Sequence, residues 1–318
     1  KRPKLACRAC AGVVMQAPAP ERLITGGLPS EATVAHVLVS RYADHLPLYR
    51  QSQILARQGI EIGRDTLASW IGVAANELKP VVVRLREILL GSARLFADET
   101  TMPVLDPGRG RTKKGYAWAI ARDDRPWGGS DPPAVVFRYA PGRGQEHARQ
   151  LLGDYGGLLQ CDGYAAYKSV SASPAGGITL AFCWAHVRRE FYDLARGGAA
   201  PIATEALQRI AVLYAIESDI RGQPPNVRRA ARQARSKPLV GALFTWFETQ
   251  LGRLAGGAPT AAKIRYALNH CEGLERFLDD GRLDMDNNVV ERTIRPLVLS
   301  RKNALFASGD DGGERWAA

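Results

Sequence analysis

The chain has 318 residues, enough to bury a sizeable core and to form two or three structural units. A 46% hydrophobic and 24% charged content is that of an ordinary globular protein, and no apolar run approaches the roughly 20 residues of a membrane span. The opening residues do not read as a signal peptide, and five irregularly spaced cysteines suit a reducing cytoplasm better than a disulfide framework. Lys+Arg at 43 against Asp+Glu at 32 leaves a net charge of +11, which favours a polyanionic partner such as nucleic acid, although basic solvated surfaces are also common.

Residues 1–27 contain Cys7-Arg8-Ala9-Cys10, half of a structural zinc site. No second pair follows at knuckle spacing. Either Cys7 and Cys10 hold zinc with ligands of a longer parent chain, or the pair is incidental. Residues 28–91 read as helices, with apolar positions at Val34, Val37, Leu38 and Tyr42, then Leu48, Ile54 and Leu55, then Leu67, Trp70, Ile71 and Ala74. A turn from Gly59 to Gly63 between two of them suggests a helix-turn-helix with 65–77 in the recognition position. A plain helical hairpin fits the same pattern.

From residue 93 the period changes. Leu95-Phe96-Ala97 is a short apolar run ending at Asp98, and Arg109, Arg111, Lys113 and Lys114 crowd a turn marked by Pro107, Gly108 and Gly110. Tyr116–Ile120 and Val135–Tyr139 read as strands, 144–152 as a helix, and Gly157–Cys161 as a buried strand ending at Asp162. Ile178–Phe182 is a fifth strand that feeds a helix beginning Cys183-Trp184-Ala185-His186. This is an α/β pattern with a sheet of mixed direction. Residues 193–283 lose strand character and interrupt it as an all-helical insertion. Within them Arg228, Arg229, Arg232, Arg235 and Lys237 form a basic run that follows a phosphate backbone or simply coats a solvated helix face.

The stretch Asp286-Asn287-Asn288-Val289-Val290-Glu291-Arg292-Thr293-Ile294-Arg295-Pro296 predicts a short helix ended by its proline. Asn288-x-x-Glu291 fits a capping box. A helix-borne glutamate beside two strand-end aspartates, Asp98 and Asp162, makes instead an oxygen-rich site for a hard divalent cation. Glu99 alternates to the opposite side of its strand and stays out of that site.

Phe-Ala-Asp98-Glu-Thr, Cys-Asp162-Gly-Tyr and Asp-Asn-Asn-x-x-Glu291-Arg-x-Ile-Arg-Pro, in that order, resemble the insertion-sequence-66 family of bacterial transposases. Arg109-Gly110-Arg111-Thr112-Lys113, Trp127-Gly128-Gly129, Cys183-Trp184-Ala185-His186-x-Arg188-Arg189 and Arg301-Lys302-Asn303 extend the resemblance from about residue 4 to the end. It implies a ribonuclease-H-like catalytic core of the DDE kind over 92–192 and 284–318, interrupted by the helical insertion at 193–283. Residues 28–91 are then the helical N-terminal region, and 1–27 part of a zinc-binding module, with the chain shortened at both ends. Asp98, Asp162 and Glu291 are the implied catalytic ligands of two Mg²⁺ (or Mn²⁺) ions. Water would first free a 3′-hydroxyl at the element end, and that hydroxyl would then attack target DNA.

Arg109, Arg111, Lys113, His186, Arg188, Arg292 and Arg295 are the candidate DNA-binding residues. His186 orients a water, touches phosphate or merely packs, while Arg292 and Arg295 meet phosphate or temper the carboxylates as ion pairs. The expected partners are DNA and further copies of the chain assembled on it, with no membrane. A nuclease on the same fold and a DNA-binding remnant without turnover are the alternatives.

Overall fold

The computed structural model describes residues 3–10, 12–18, 21–172 and 177–318. Two compact units divide at Leu78 and Lys79. In the first, β1 (Lys4–Leu5) pairs antiparallel with β2 (Met15–Gln16), and Cys7 and Cys10 are exposed thiols between them. Hydrogen bonds from the Ala9 amide and from Cys10 lower the Cys7 thiol below its usual range. Helix α1 (Glu31–Tyr42) starts at Ser30, whose hydroxyl accepts the Thr33 amide. Helix α2 (Leu48–Arg57) is fastened to it by the Gln51 amide, which donates to the carbonyls of Val37 and Leu46. Val34, Val37, Leu67, Trp70 and Ile71 form this unit's core with the first part of α3 (Arg64–Leu90). The expected third helix therefore starts where the sequence placed it but does not stop at residue 77.

The second unit is built on β3 (Arg94–Asp106), β4 (Arg111–Arg122), β5 (Ala134–Ala140), β6 (Leu158–Cys161) and β7 (Thr179–Phe182), in spatial order β5-β4-β3-β6-β7. Strands β3, β4 and β5 run antiparallel, while β6 and β7 run parallel to β3. The hairpin turns where Gly108 and Gly110 take φ of 85° and 61°, backbone that a side chain resists. Parallel neighbours need crossovers. Helices α4 (Gln145–Leu152) and α5 (Ala165–Ser171) supply them, α5 being a helix that the sequence reading lacked.

Alternation along β3 sends Leu95 and Ala97 into a core with Leu89, Leu151 and Tyr167, and Phe96 to the other face. There Val289, Val290 and Ile294 of α12 (Asn288–Asn303) cover it. Helix α12 runs through Pro296, contrary to the expected stop. Leu297 beyond the proline is buried against Met102, Val104 and Ala117, and this continued burial outweighs the one backbone hydrogen bond that proline removes. Helix α13 (Asp310–Ala317) follows, tied back by its Asp310, which accepts from Tyr139 and pairs with Lys113.

Helix α6 (Trp184–Arg196) leads into α7 (Pro201–Asp219), α8 (Pro225–Ala231), a π-turn at Arg232–Ser236, α9 (Lys237–Leu251), α10 (Pro259–Leu268) and α11 (Cys271–Glu275). Among the described residues, 193–283 contain no strand. Trp184, Phe191, Ile210, Phe244, Phe247 and Ile264 form one core, so the helical block and the helix leaving the sheet are packed together.

The basic run is not a continuous solvated stripe. Arg228 and Arg232 are 3% and 0% exposed. Both Glu217 oxygens accept from Arg232 at 2.7 and 2.6 Å, as do the carbonyls of Phe277, Asp280 and Leu283, while Arg228 pairs with Asp284 at 2.9 Å. The donors of Arg232 are matched in this way, whereas Arg228 is paired through Nη2 alone, its Nε and Nη1 being buried without a partner. Both guanidiniums are held inside, and neither is free to follow a phosphate backbone. No described helix is long and apolar enough to cross a membrane.

Candidate active site

Strand β3 pairs with β6 at three positions, the last being Phe96 opposite Gln160. Asp98 stands two residues further along β3, and Asp162 two residues beyond Gln160, just past the end of β6, so the parallel pairing carries both aspartates toward the same end of β6. Asp98 Oδ1 accepts the Glu99 amide, and Asp162 Oδ1 accepts the Tyr164 amide, so local backbone orients both carboxylates.

Glu291 comes from α12, whose entry is pinned to the sheet and to α6. Gln160 accepts the Asp284 amide and donates to the Asp284 carbonyl. The Trp184 amide donates to the Met285 carbonyl, and the Asn287 amide to Cys183 Sγ. Asn287 makes no side-chain cap, and the Asn288 amide is taken by Asp286 Oδ1. Glu291 does not reach back as a capping box. Its Oε2 accepts from Arg189 at 3.3 Å, and its Oε1 lies 3.8 Å from His186 Nε2.

Asp98, Asp162 and Glu291 therefore line one cavity of ≈ 830 Å³, together with Glu99, Arg143, His186, Arg189, Asn288, Arg292 and Arg295. Burial first, then the charges of Glu99 and Asp162, push the Asp98 carboxyl up to about 8. Burial and the Asp162 charge likewise raise Glu99. Glu291 Oε1 and His186 Nδ1 are buried without a hydrogen-bond partner. Carboxylates that repel one another beside an orphaned acceptor fit a divalent cation, whose charge removes that repulsion and whose coordination takes up the acceptor. Asp98, Asp162 and Glu291 could offer oxygen ligands to such an ion.

The family described as "Transposase IS66 family" matches residues 26–315. The chain belongs to the IS66 transposase family. It is 46% identical over 322 residues to the uncharacterized protein y4qI of Sinorhizobium fredii (strain NBRC 101917 / NGR234), covering 100% of this chain and 60% of that protein. The uncharacterized proteins y4jD and y4hP of the same strain are 44% and 36% identical over 99% of this chain. The IS66-family chain thus spans 59–63% of the length of these relatives.

Of the residues singled out in the sequence, the cavity gathers Asp98, Asp162, Glu291, His186, Arg292 and Arg295. Arg188 is exposed on α6 and lines a neighbouring cavity with Arg189 and Tyr192. Arg109, Arg111 and Lys113 lie at the far end of the β3–β4 hairpin, outside the carboxylate cavity. There Arg109 is 3.5 Å from Asp106, and Lys113 is 2.7 Å from Asp310. Cys7 and Cys10 belong to the first unit.

Glu99, Arg143 and Arg189 were absent from the sequence-derived site. Glu99 does alternate away from Asp98, toward Tyr167, whose hydroxyl donates to it at 2.8 Å. It still borders the cavity because β3 has left β6 by this point and its edge is open. Arg143 donates to Glu99 at 2.6 Å and lies 3.8 Å over the Tyr164 ring. No local motif marked Arg143. Arg189 lies in the Cys183-to-Arg189 motif at helical spacing from His186, a signal that was available.

Proposed function

We propose that this chain carries the DNA-cleaving and strand-joining centre of an IS66-family transposase, on a ribonuclease-H-like sheet. The observation that carries the proposal is that Asp98 on β3, Asp162 just past β6 and Glu291 on α12 line one cavity. The sheet order, with its antiparallel meander and two added parallel strands, supports the fold assignment. Membership of the family supports DNA as the substrate.

Asp98, Asp162 and Glu291 would hold two divalent ions of the Mg²⁺ class, which when bound neutralise phosphate charge and favour both the attacking and the leaving oxygen. Around them the chain's own residues have distinct tasks. Arg143, Arg189, Arg292 and Arg295 give the cavity a basic rim that holds the phosphates on either side of the scissile bond. His186, beside Glu291, is placed to orient the attacking oxygen. Water adds at phosphorus as the bond to the leaving oxygen breaks, giving a 3′-hydroxyl and a 5′-phosphate. In the second step that 3′-hydroxyl displaces a strand oxygen of target DNA, exchanging one phosphodiester for another. Helix α3's first part, in the helix-turn-helix-like unit, is the proposed element-end reader.

The test uses duplex DNA carrying the element's ends and a second target duplex, with Mg²⁺. Nicks bearing a 3′-hydroxyl, followed by joined products, are expected of the wild type. Asp98→Asn, Asp162→Asn and Glu291→Gln should lose both while keeping DNA affinity, since binding rests on Lys and Arg. Cleavage by Glu291→Gln at the wild-type rate would overturn the site, and nicking without joining would make the protein a nuclease.

A further inference from the structure

One ligating atom each from Cys183, His186 and Glu291 lies within 4.8 Å of the others. Cys183 closes β7 and caps α6, His186 sits one turn on, and Glu291 faces them from α12. Cys183 is 2% exposed, and the Asn287 amide, which donates to its Sγ, orients the sulfur. His186 Nδ1 and Glu291 Oε1 are the orphaned atoms of the cavity wall, and the Asn287 side-chain amide is also buried without a partner. A thiol, an imidazole and a carboxylate are poor ligands as a set for Mg²⁺. They are the donor types taken by zinc-class ions. Donors about 2.0–2.3 Å from a tetrahedral ion stand roughly 3.3–3.8 Å apart, so side-chain rotations of about 1 Å close the set. A fourth position would open into the cavity, which His186 and Glu291 line.

We propose that Cys183, His186 and Glu291 form a binding site for a zinc-class divalent ion, separate in donor chemistry from the carboxylate pair and sharing Glu291 with it. Binding releases the thiol proton and commits the Glu291 carboxylate. Zinc held there withdraws Glu291 from Asp98 and Asp162, so it inhibits Mg²⁺-dependent cleavage. The inhibitory consequence rests on the DNA-cleaving reading of the cavity, whereas the metal set does not.

The probe is Co²⁺, titrated into the full 318-residue chain carrying Cys7→Ser and Cys10→Ser to remove the exposed pair. One Co²⁺ per chain with thiolate-to-metal charge-transfer absorption is expected, and excess Zn²⁺ should bleach it. Cys183→Ala should abolish the band, and His186→Ala should weaken Co²⁺ binding by more than about 100-fold, the upper range for loss of a mere supporting group. Glu291→Gln, which leaves the buried thiol in place, should keep the band but weaken binding. Asp98→Asn should leave the titration unchanged. Absence of the band, or a band that survives Cys183→Ala in a variant with native circular dichroism, overturns the proposal. Micromolar Zn²⁺ should also suppress nicking in the wild type and much less in Cys183→Ala. Nicking that Zn²⁺ leaves untouched overturns the inhibitory role. A protein that never nicks DNA but shows the cobalt band refutes the cleavage reading alone.

Discussion

The Tyr266 hydroxyl donates to the backbone carbonyl of Asp162 at 2.9 Å, a contact between the helical block and the end of β6. His270, one turn along, donates from Nδ1 to the Tyr266 carbonyl and receives Lys168 at Nε2. Burial holds this imidazole below its usual pKa, consistent with the neutral tautomer these partners require. Tyr266→Phe keeps the ring and removes only the donor. It should cost about 1 kcal/mol of stability and lower the rate of strand cleavage with DNA affinity unchanged. An unaltered rate would show that the block does not position Asp162.

Asp98 ties stability to pH. In the cation-free protein its carboxyl is raised to about 8 from 3.8, so the folded state keeps a proton that the unfolded state releases. That stabilisation is complete below about pH 4 and is lost as the pH rises to about 8. Asp98→Asn should therefore melt several degrees above the wild type at pH 8 without divalent ions, and close to it near pH 5. Parallel melting curves across this range would contradict the assigned burial.

Arg232 tests whether the basic run is structural. Its removal strands Glu217 in the interior, so Arg232→Met should destabilise the second unit by about 3–5 kcal/mol. Urea unfolding measures this, and DNA affinity per folded molecule should not change. The opposite pattern, native stability with weakened DNA binding, would return the run to the phosphate backbone.

Arg143 and Glu99 should be energetically coupled. The Glu99 side chain is only 1% exposed and accepts from Arg143 and Tyr167. Arg143→Ala should cost about 1–3 kcal/mol by leaving a buried acceptor short of a donor, and adding Glu99→Gln should recover part of that loss. Additive effects in a double-mutant cycle would mean the pair is not a unit.

Much of this site was legible because apolar strand runs stop where their carboxylates begin. Asp98 and Asp162 follow Leu95-Phe96-Ala97 and Leu158–Cys161. Asp162 does lie just past its strand, whereas Asp98, expected at a strand end, lies within β3, which continues to Asp106 on its pairing with β4. That the two aspartates meet in one cavity was not legible, since it depends on which strands pair. The extension of α12 beyond Pro296 was hidden because local backbone rules do not count the burial of Leu297. Arg228 and Arg232 read as a solvated face because their partners, Glu217 and Asp284, come from other elements. The open edge that lets Glu99 reach the cavity is likewise a tertiary fact.

Strand β3 runs 13 residues but has β6 beside it for only three of them. Further along, Arg301 donates to the Thr101 carbonyl, the Ala307 amide to the Pro103 carbonyl, and the Leu105 amide to the Ser308 carbonyl. The segment after α12 thus seals the far part of a ribbon whose bare amides and carbonyls would otherwise recruit another chain. The stretch around Asp98 is left unsealed between the two covers. Cutting the chain after residue 300 would therefore do more than loosen it. It would uncover a long flat strand margin, and the product would be expected to associate edge to edge and drop out of solution.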